Sequence, residues 1–317
     1  MKKILACSIL LSAAAMVFAL PNLIETQSFN HMAVNNLDFN LASEELVINE
    51  TFDSNITIEI YCNNKKMAPE INCSGQNLSV VSRLHNSGFL SAGTRCTLIM
   101  YIPQGKNFKN IRLQASSGEI KLERELSANS IKITTSSGDI EGKQGLFADD
   151  IYLKASSGEI DVNNLDADTL EIETSSGDIE VQNYTGGSGS LKASSGSIDV
   201  DDFAVEYAKF KTSSGKISVK NLDCDYFDFE SSSGSQYTTL KNPPLAKSAM
   251  KTTSGSIDIT VPEGSSFEID VHSNSGTFKD GFSNNKFVPR STFHERINDG
   301  GATIELNTSS GSIELDF

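Results

Sequence analysis

A short phrase recurs through most of this chain, and its spacing constrains the fold more than any other feature. It reads ASSGEI at 115–120, TSSGDI at 135–140, ASSGEI at 155–160, TSSGDI at 174–179, ASSGSI at 193–198 and TSSGKI at 212–217. Looser copies follow as SSSGSQ (231–236), TTSGSI (252–257), SNSGTF (273–278) and TSSGSI (308–313). The copies are marked by Gly118, Gly138, Gly158, Gly177, Gly196, Gly215, Gly234, Gly255, Gly276 and Gly311. Successive gaps are 20, 20, 19, 19, 19, 19, 21, 21 and 35 residues. A fixed period near twenty marks a stacked architecture in which each unit buries its face only against its neighbours.

Within one unit, apolar and polar residues alternate on both sides of the phrase. Ile131/Ile133/Thr135, Ile151/Leu153/Ala155 and Leu170/Ile172/Thr174 precede it; Ile120/Leu122, Ile160/Val162 and Ile179/Val181 follow it. Period two means half-buried strands, and helical spacing is absent. The motif glycine is expected to sit in a bend with positive φ, which a β-carbon disfavours. The paired serines are expected to satisfy the bend's backbone groups or to bond from rung to rung. Further on, a large apolar residue recurs (Leu126, Leu146, Leu165, Tyr184, Phe203, Leu222), followed two residues later by a small one (Ala128, Ala148, Ala167, Gly186, Val205, Cys224). Stacked columns of this kind predict an all-β fold. It is a parallel β-solenoid (β-helix) with rungs of 19–21 residues, two or three short strands per turn and about 4.8 Å between neighbours. An antiparallel sandwich also suits short strands punctuated by glycine, but it gives no reason for matching side chains at fixed offsets. In its column Cys224 reads as a small buried thiol.

The ends depart from this pattern. Residues 1–19 read as a secretory signal peptide: Met1-Lys2-Lys3, an apolar run from Ile4 to Phe18, and Val17 and Ala19 at the cleavage positions. No later run reaches the ~20 apolar residues of a membrane span, so none is expected in the mature chain. Residues 20–97 lack the phrase and predict an irregular β-rich cap; 98–317 form the repeat domain, with an insertion near 280–298 carrying Arg290, His294 and Arg296. Two junctions, Tyr101-Ile102-Pro103-Gln104-Gly105 and Thr260-Val261-Pro262-Glu263-Gly264, end a strand in Pro-x-Gly, a turn signal. Export permits a disulfide among Cys62, Cys73 and Cys96, its pairing open.

The SSG-[DE]-I rungs, these two junctions and the closing Asn298-Asp299-Gly300-Gly301-Ala302-Thr303-Ile304 resemble the bacterial putative-adhesin family of β-strand-repeat domains of unknown function (DUF4097-type). The resemblance covers about residues 98–317 and implies an exported, β-helical envelope or surface protein. It brings no catalytic residues with it.

Lys and Arg number 26 against 41 Asp and Glu, a net charge of −15. That excess excludes a nucleic-acid partner, which needs clustered cations. The four His are scattered, and no HExxH, GxSxG or phosphate-cradling loop occurs. No catalytic or cofactor-binding residue is therefore expected. Asp161, Asp166, Asp168, Asp199, Asp201 and Asp202 are candidates for a carboxylate pair, but they recur with the repeat where catalysis needs a unique site. Glu119, Asp139, Glu159 and Asp178 follow the motif glycine in four successive rungs. Stacked about 5 Å apart in water, each adjacent pair repels by only about 0.8 kcal/mol, so a solvated ladder is tolerable; Ca²⁺ bridging is the speculative alternative. The calcium-binding nonapeptide of other solenoids is absent, although Gly186-Gly187-Ser188-Gly189 superficially suggests it.

The expected protein is non-catalytic and exported to the periplasm, the cell surface or the medium. It is an adhesin-like structural or binding module whose partner is an envelope or surface protein or a glycan. The competing reading is a carbohydrate-active β-helix that binds or cleaves polysaccharide. Few exposed aromatics are expected, since Tyr184, Phe203, Phe227 and Phe229 fall in inward columns.

Overall fold

The computed structural model describes residues 21–84, 93–281, 285–287 and 293–317. The expected signal peptide at 1–19 and Arg290 lie outside the described residues. A single pile of parallel rungs runs through the middle of the chain. Ile160, Ile179, Ile198 and Ile217 stand directly over one another, and so do Leu165, Tyr184, Phe203 and Leu222. Pairing between neighbouring rungs comes in three runs, such as 160–162, 164–167 and 169–174, which makes each turn three-sided. Inward side chains form one continuous apolar core along the axis.

The motif glycines line up in a column, but positive φ is not what requires them. Positive φ occurs at Gly105 and Gly264, in the Pro-x-Gly junctions, and at none of the ten motif glycines. A β-carbon on Gly177 would collide with the carbonyl oxygen of Gly158, and one on Gly196 with that of Gly177. Backbone packs on backbone at this corner, so only glycine fits. The serines bond from rung to rung, one of the two roles expected of them. Their backbone N–H groups bond to the preceding rung, Ser137 to Ser116 at 2.9 Å and Ser195 to Ser175 at 2.9 Å. A buried threonine three residues before the glycine clips the bend instead. Thr212 Oγ1 accepts from Gly215 N at 3.1 Å and donates to the Gly196 carbonyl at 3.1 Å; Thr252 and Thr308 repeat the arrangement.

In the middle rungs, packing is balanced between facing columns. As Leu165 gives way to Tyr184 and Phe203, the column of Ile151 and Leu170 shrinks to Gly189 and Ala208. A β-carbon on Gly189 would run into the Phe203 ring. Tyr184 and Phe203 lie 4.9 Å apart, and Phe203 and Phe210 5.0 Å apart, between ring centroids. The Tyr184 hydroxyl reaches the carbonyls of Ala167 (3.0 Å) and Ser188 (2.7 Å). The Gly-Gly-Ser-Gly run is therefore a packing device. Cys224 is free and buried, and burial pushes its thiol up to about 12.

At both ends the chain leaves sequence order. Near the N-terminus the rung 36–51 is held between the outer strands Asn77–Val81 and Cys96–Pro103 and the rung 107–122, and it pairs in parallel on both sides. The stack thus extends into residues expected only to cap it. Near the C-terminus the last rung, Thr303–Thr308 with Ile313–Asp316, lies between the rungs 248–260 and 267–280. Gly311 accordingly sits between Gly255 and Gly276. Each Pro-x-Gly junction steps over one rung position, and a segment from the nearer end of the chain fills it. Antiparallel strands then cover the outer rungs. Asn55–Cys62 and Glu70–Ser74 do so at one end, Asn285–Phe287 and Phe293–Ile297 at the other. Covering an open edge this way blocks pairing with other chains. Cys62 and Cys96 join the first of these strands to its neighbour by a disulfide, while Cys73 is free and exposed.

Candidate functional surfaces

Outward side chains form columns as regular as the inward ones, and the three sides differ in charge. On the side formed by the strands that lead into the glycine corner, lysines and carboxylates share the outward columns and pair between rungs. Lys154 and Glu173 meet at 2.9 Å, Lys192 and Glu171 at 2.8 Å, and Lys209 and Asp228 at 3.3 Å; Lys211 pairs with Glu230. The hydrogen bond from Lys154 holds the Glu173 carboxyl below its usual range.

The side that follows the glycine is acidic. Glu141, Asp161, Glu180 and Asp199 form one outward column beside the predicted ladder. Asp139, Glu141, Glu159 and Asp161 line a shallow groove there. Burial raises the Glu159 carboxyl, and the charges of Glu180, Asp139, Asp161 and Asp178 add to the shift. Glu119 is also raised, chiefly by burial. Asp139 and Asp178 are occupied: each accepts a backbone N–H from the next rung, at Glu159 (2.8 Å) and Ser197 (2.7 Å). Among the described residues, no group of three or more His, Cys, Asp or Glu is arranged to hold a metal ion.

The carboxylate-pair candidates do not converge. Asp199, Asp201 and Asp202 each bind a lysine at 2.6 Å, namely Lys216, Lys220 and Lys241. Asp166 and Asp168 stand on the third side, where their charges add to the burial that raises the Tyr184 hydroxyl. In the C-terminal cap, His294 Nδ1 lies 2.7 Å from Asp270 Oδ1, and the Arg296 guanidinium donates to the Asp299 carbonyl. His294 and Arg296, two of the three residues singled out in the expected insertion, thus meet partners within this cap.

One surface feature runs against expectation. Tyr207 and Tyr226 occupy the same outward column, their rings 4.6 Å apart and inclined by only 21°. Tyr226 is 40% exposed, and Leu245, whose N–H bonds to the Asp225 carbonyl at 2.8 Å, is 76% exposed. The separation of nineteen residues, one full period, was the available signal for the tyrosine pair.

Comparison with known proteins places this geometry. The Toastrack DUF4097 model matches residues 34–146 and 143–316. A putative adhesin from Parabacteroides distasonis has the same fold, with a TM-score of 0.50 at 12% identity over 93% of this chain and 97% of that one. A putative adhesin from Parabacteroides merdae aligns with a TM-score of 0.48 at 14% identity, covering 92% and 95%. A putative lipid binding protein from Parabacteroides distasonis aligns at 0.45 and 14%, covering 92% and 96%. No curated protein matches.

Proposed function

The chain belongs to the Toastrack DUF4097 family, and from that premise we propose that it is an exported, non-catalytic binding module of the cell envelope or surface. Its partner in this reading is an envelope or surface protein or a glycan, met by a long stiff sheet. The observation that carries the reading is the rung-by-rung regularity of the outer surface. One side meets its charges within the chain by lysine–carboxylate pairs and another is a continuous acidic column, so the surface is suited to extended contact more than to chemistry at one point. The Cys62–Cys96 disulfide supports export, because such bonds persist in oxidising compartments. No helix among the described residues is long and apolar enough to cross a membrane.

The outward tyrosine pair favours the carbohydrate-binding half of the alternative reading. The lysine-bound state of Asp199, Asp201 and Asp202 speaks against the lyase or hydrolase half. The test is cell fractionation with protease treatment of intact cells, followed by pulldown from intact envelopes with the full chain and with residues 280–298 deleted. Envelope recovery with a reproducible partner is expected. A chain found in the cytosol, with reduced Cys62 and Cys96, would contradict the proposal.

A further inference from the structure

We infer that the stacked Tyr207–Tyr226 pair is a binding platform for an uncharged glycan; this rests on the binding-module reading and gives it a ligand class. The register sets Ser188 beneath Tyr207 and Thr169 beneath Ser188. Two large rings therefore rise beside two small polar residues. This forms a step, with the Tyr207 face away from Tyr226 turned toward Ser188. A sugar ring resting on that step packs its C–H groups against an aromatic face, which has a negative quadrupole suited to them. Its hydroxyls lie within the reach of polar neighbours. Ser190, two residues along the same strand, has a buried hydroxyl with no hydrogen-bond partner among the described residues. Leu245, held by its N–H to the carbonyl of Asp225, the residue before Tyr226, adds exposed apolar surface on the same corner.

Charge selects the ligand class. Around the step, Lys209 is paired with Asp228, Lys192 with Glu171 and Lys211 with Glu230. No unbalanced cation is left there to attract an acidic polymer, and the chain's net charge of −15 opposes one at long range. A cationic partner would be drawn to the acidic side instead. Two partly exposed rings also offer far less area than the roughly 800 Å² per partner of a stable protein interface.

The test is native affinity electrophoresis of the full chain in gels containing amylose, mannan, xyloglucan or mixed-linkage β-glucan, with alginate and polygalacturonate as anionic controls. At least one neutral polysaccharide should retard the wild type. Tyr207→Ala with Tyr226→Ala should weaken that retardation about tenfold or more, while the double Phe variant retains it. Ser188→Arg, which keeps both rings but blocks the step, should lose it as well, so the result does not depend on the double Ala variant folding. The chain has no Trp and seven Tyr, so the ligand-induced change in tyrosine fluorescence that the double Phe variant loses is the signal of the stack. Retardation by none of the neutral polymers, by the anionic ones alone, or undiminished in both the double Ala and Ser188→Arg variants overturns the inference. Protease-stripped envelopes separate the two levels. Undiminished binding by folded variants overturns the platform and leaves the binding module standing. A wild type that binds neutral gels but no envelope preparation overturns the module reading instead.

Discussion

The middle of the molecule and its two ends solve the same problem in opposite ways. Between about residues 107 and 240 each rung lies on the one before it in sequence, and every edge is covered by the next turn. At the ends no further turn exists, so the chain crosses over, makes an outer rung, covers it with antiparallel strands and fills the skipped position. The difference teaches that a solenoid's repeat encodes propagation alone. Termination needs separate devices, here two Pro-x-Gly junctions at Gly105 and Gly264.

The largest expected effect comes from breaking the filled position. Deleting residues 303–317 removes Ile304, Leu306, Ile313 and Leu315, all fully buried, from between two rungs. The loss is on the order of 6 kcal/mol or more at about 1.5–3 kcal/mol per buried aliphatic side chain. Limited proteolysis should then cut first between 248 and 302. Next comes the contrast between two kinds of glycine. Gly177→Ala forces a β-carbon into the Gly158 carbonyl and should cost about 3 kcal/mol. Gly264→Ala meets nothing within 4 Å and carries only the penalty of its φ of +81°, about 1 kcal/mol. Chemical denaturation of both variants would measure the gap.

Within the middle, Gly189→Ala should destabilise by about 2 kcal/mol, and Phe203→Leu should recover much of it. A double-mutant cycle should show coupling of about 1–2 kcal/mol; additivity would mean that the two columns do not share volume.

The smallest effects separate the acidic side from the paired one. The raised Glu159 carboxyl binds its proton more tightly in the folded state. Its contribution is therefore complete below about pH 4.5 and is lost as pH rises through the folded value. Glu173 is lowered, so its contribution is present above that value and lost as pH falls through its own folded value. Near neutral pH, Glu159→Gln should raise stability and Glu173→Gln should lower it, each by a few tenths of a kcal/mol, read in thermal unfolding. Acidification should reduce both differences, and so should salt.

Much of the middle was legible because a period of nineteen or twenty, once recognised, aligns every side chain with its neighbours. Leu165 over Leu146, Tyr184 among the inward residues and a buried Cys224 all follow from that alignment. The reason for each motif glycine did not, since φ is a local property and the contact of Gly177 with Gly158 is made between rungs. Thr212 was hidden by its alternation with Ala193, which looks like free choice until the hydroxyl's two partners are seen. Gly311 was read as the last rung because spacing records order along the chain, and nothing local says that Asp258 meets Glu314 before Lys279. The outward tyrosines were missed by following only the inward columns. Their phase, one residue before an inward apolar position in successive rungs, places them together.

The order of rungs at the C-terminus tests the central claim most directly. In a Cys73→Ser background, paired cysteines at 258 and 314, at 279 and 314, and at 258 and 279 can be oxidised under native conditions. Asp258 and Lys279 each stand opposite Glu314. The first two pairs are therefore one strand spacing apart, about 4.8 Å, and the third is two spacings apart, beyond the reach of a disulfide. The account predicts rapid bridging of the first two and none of the third. Bridging of 258 with 279, and not of 258 with 314, would mean that the last rung follows the stack instead of entering it.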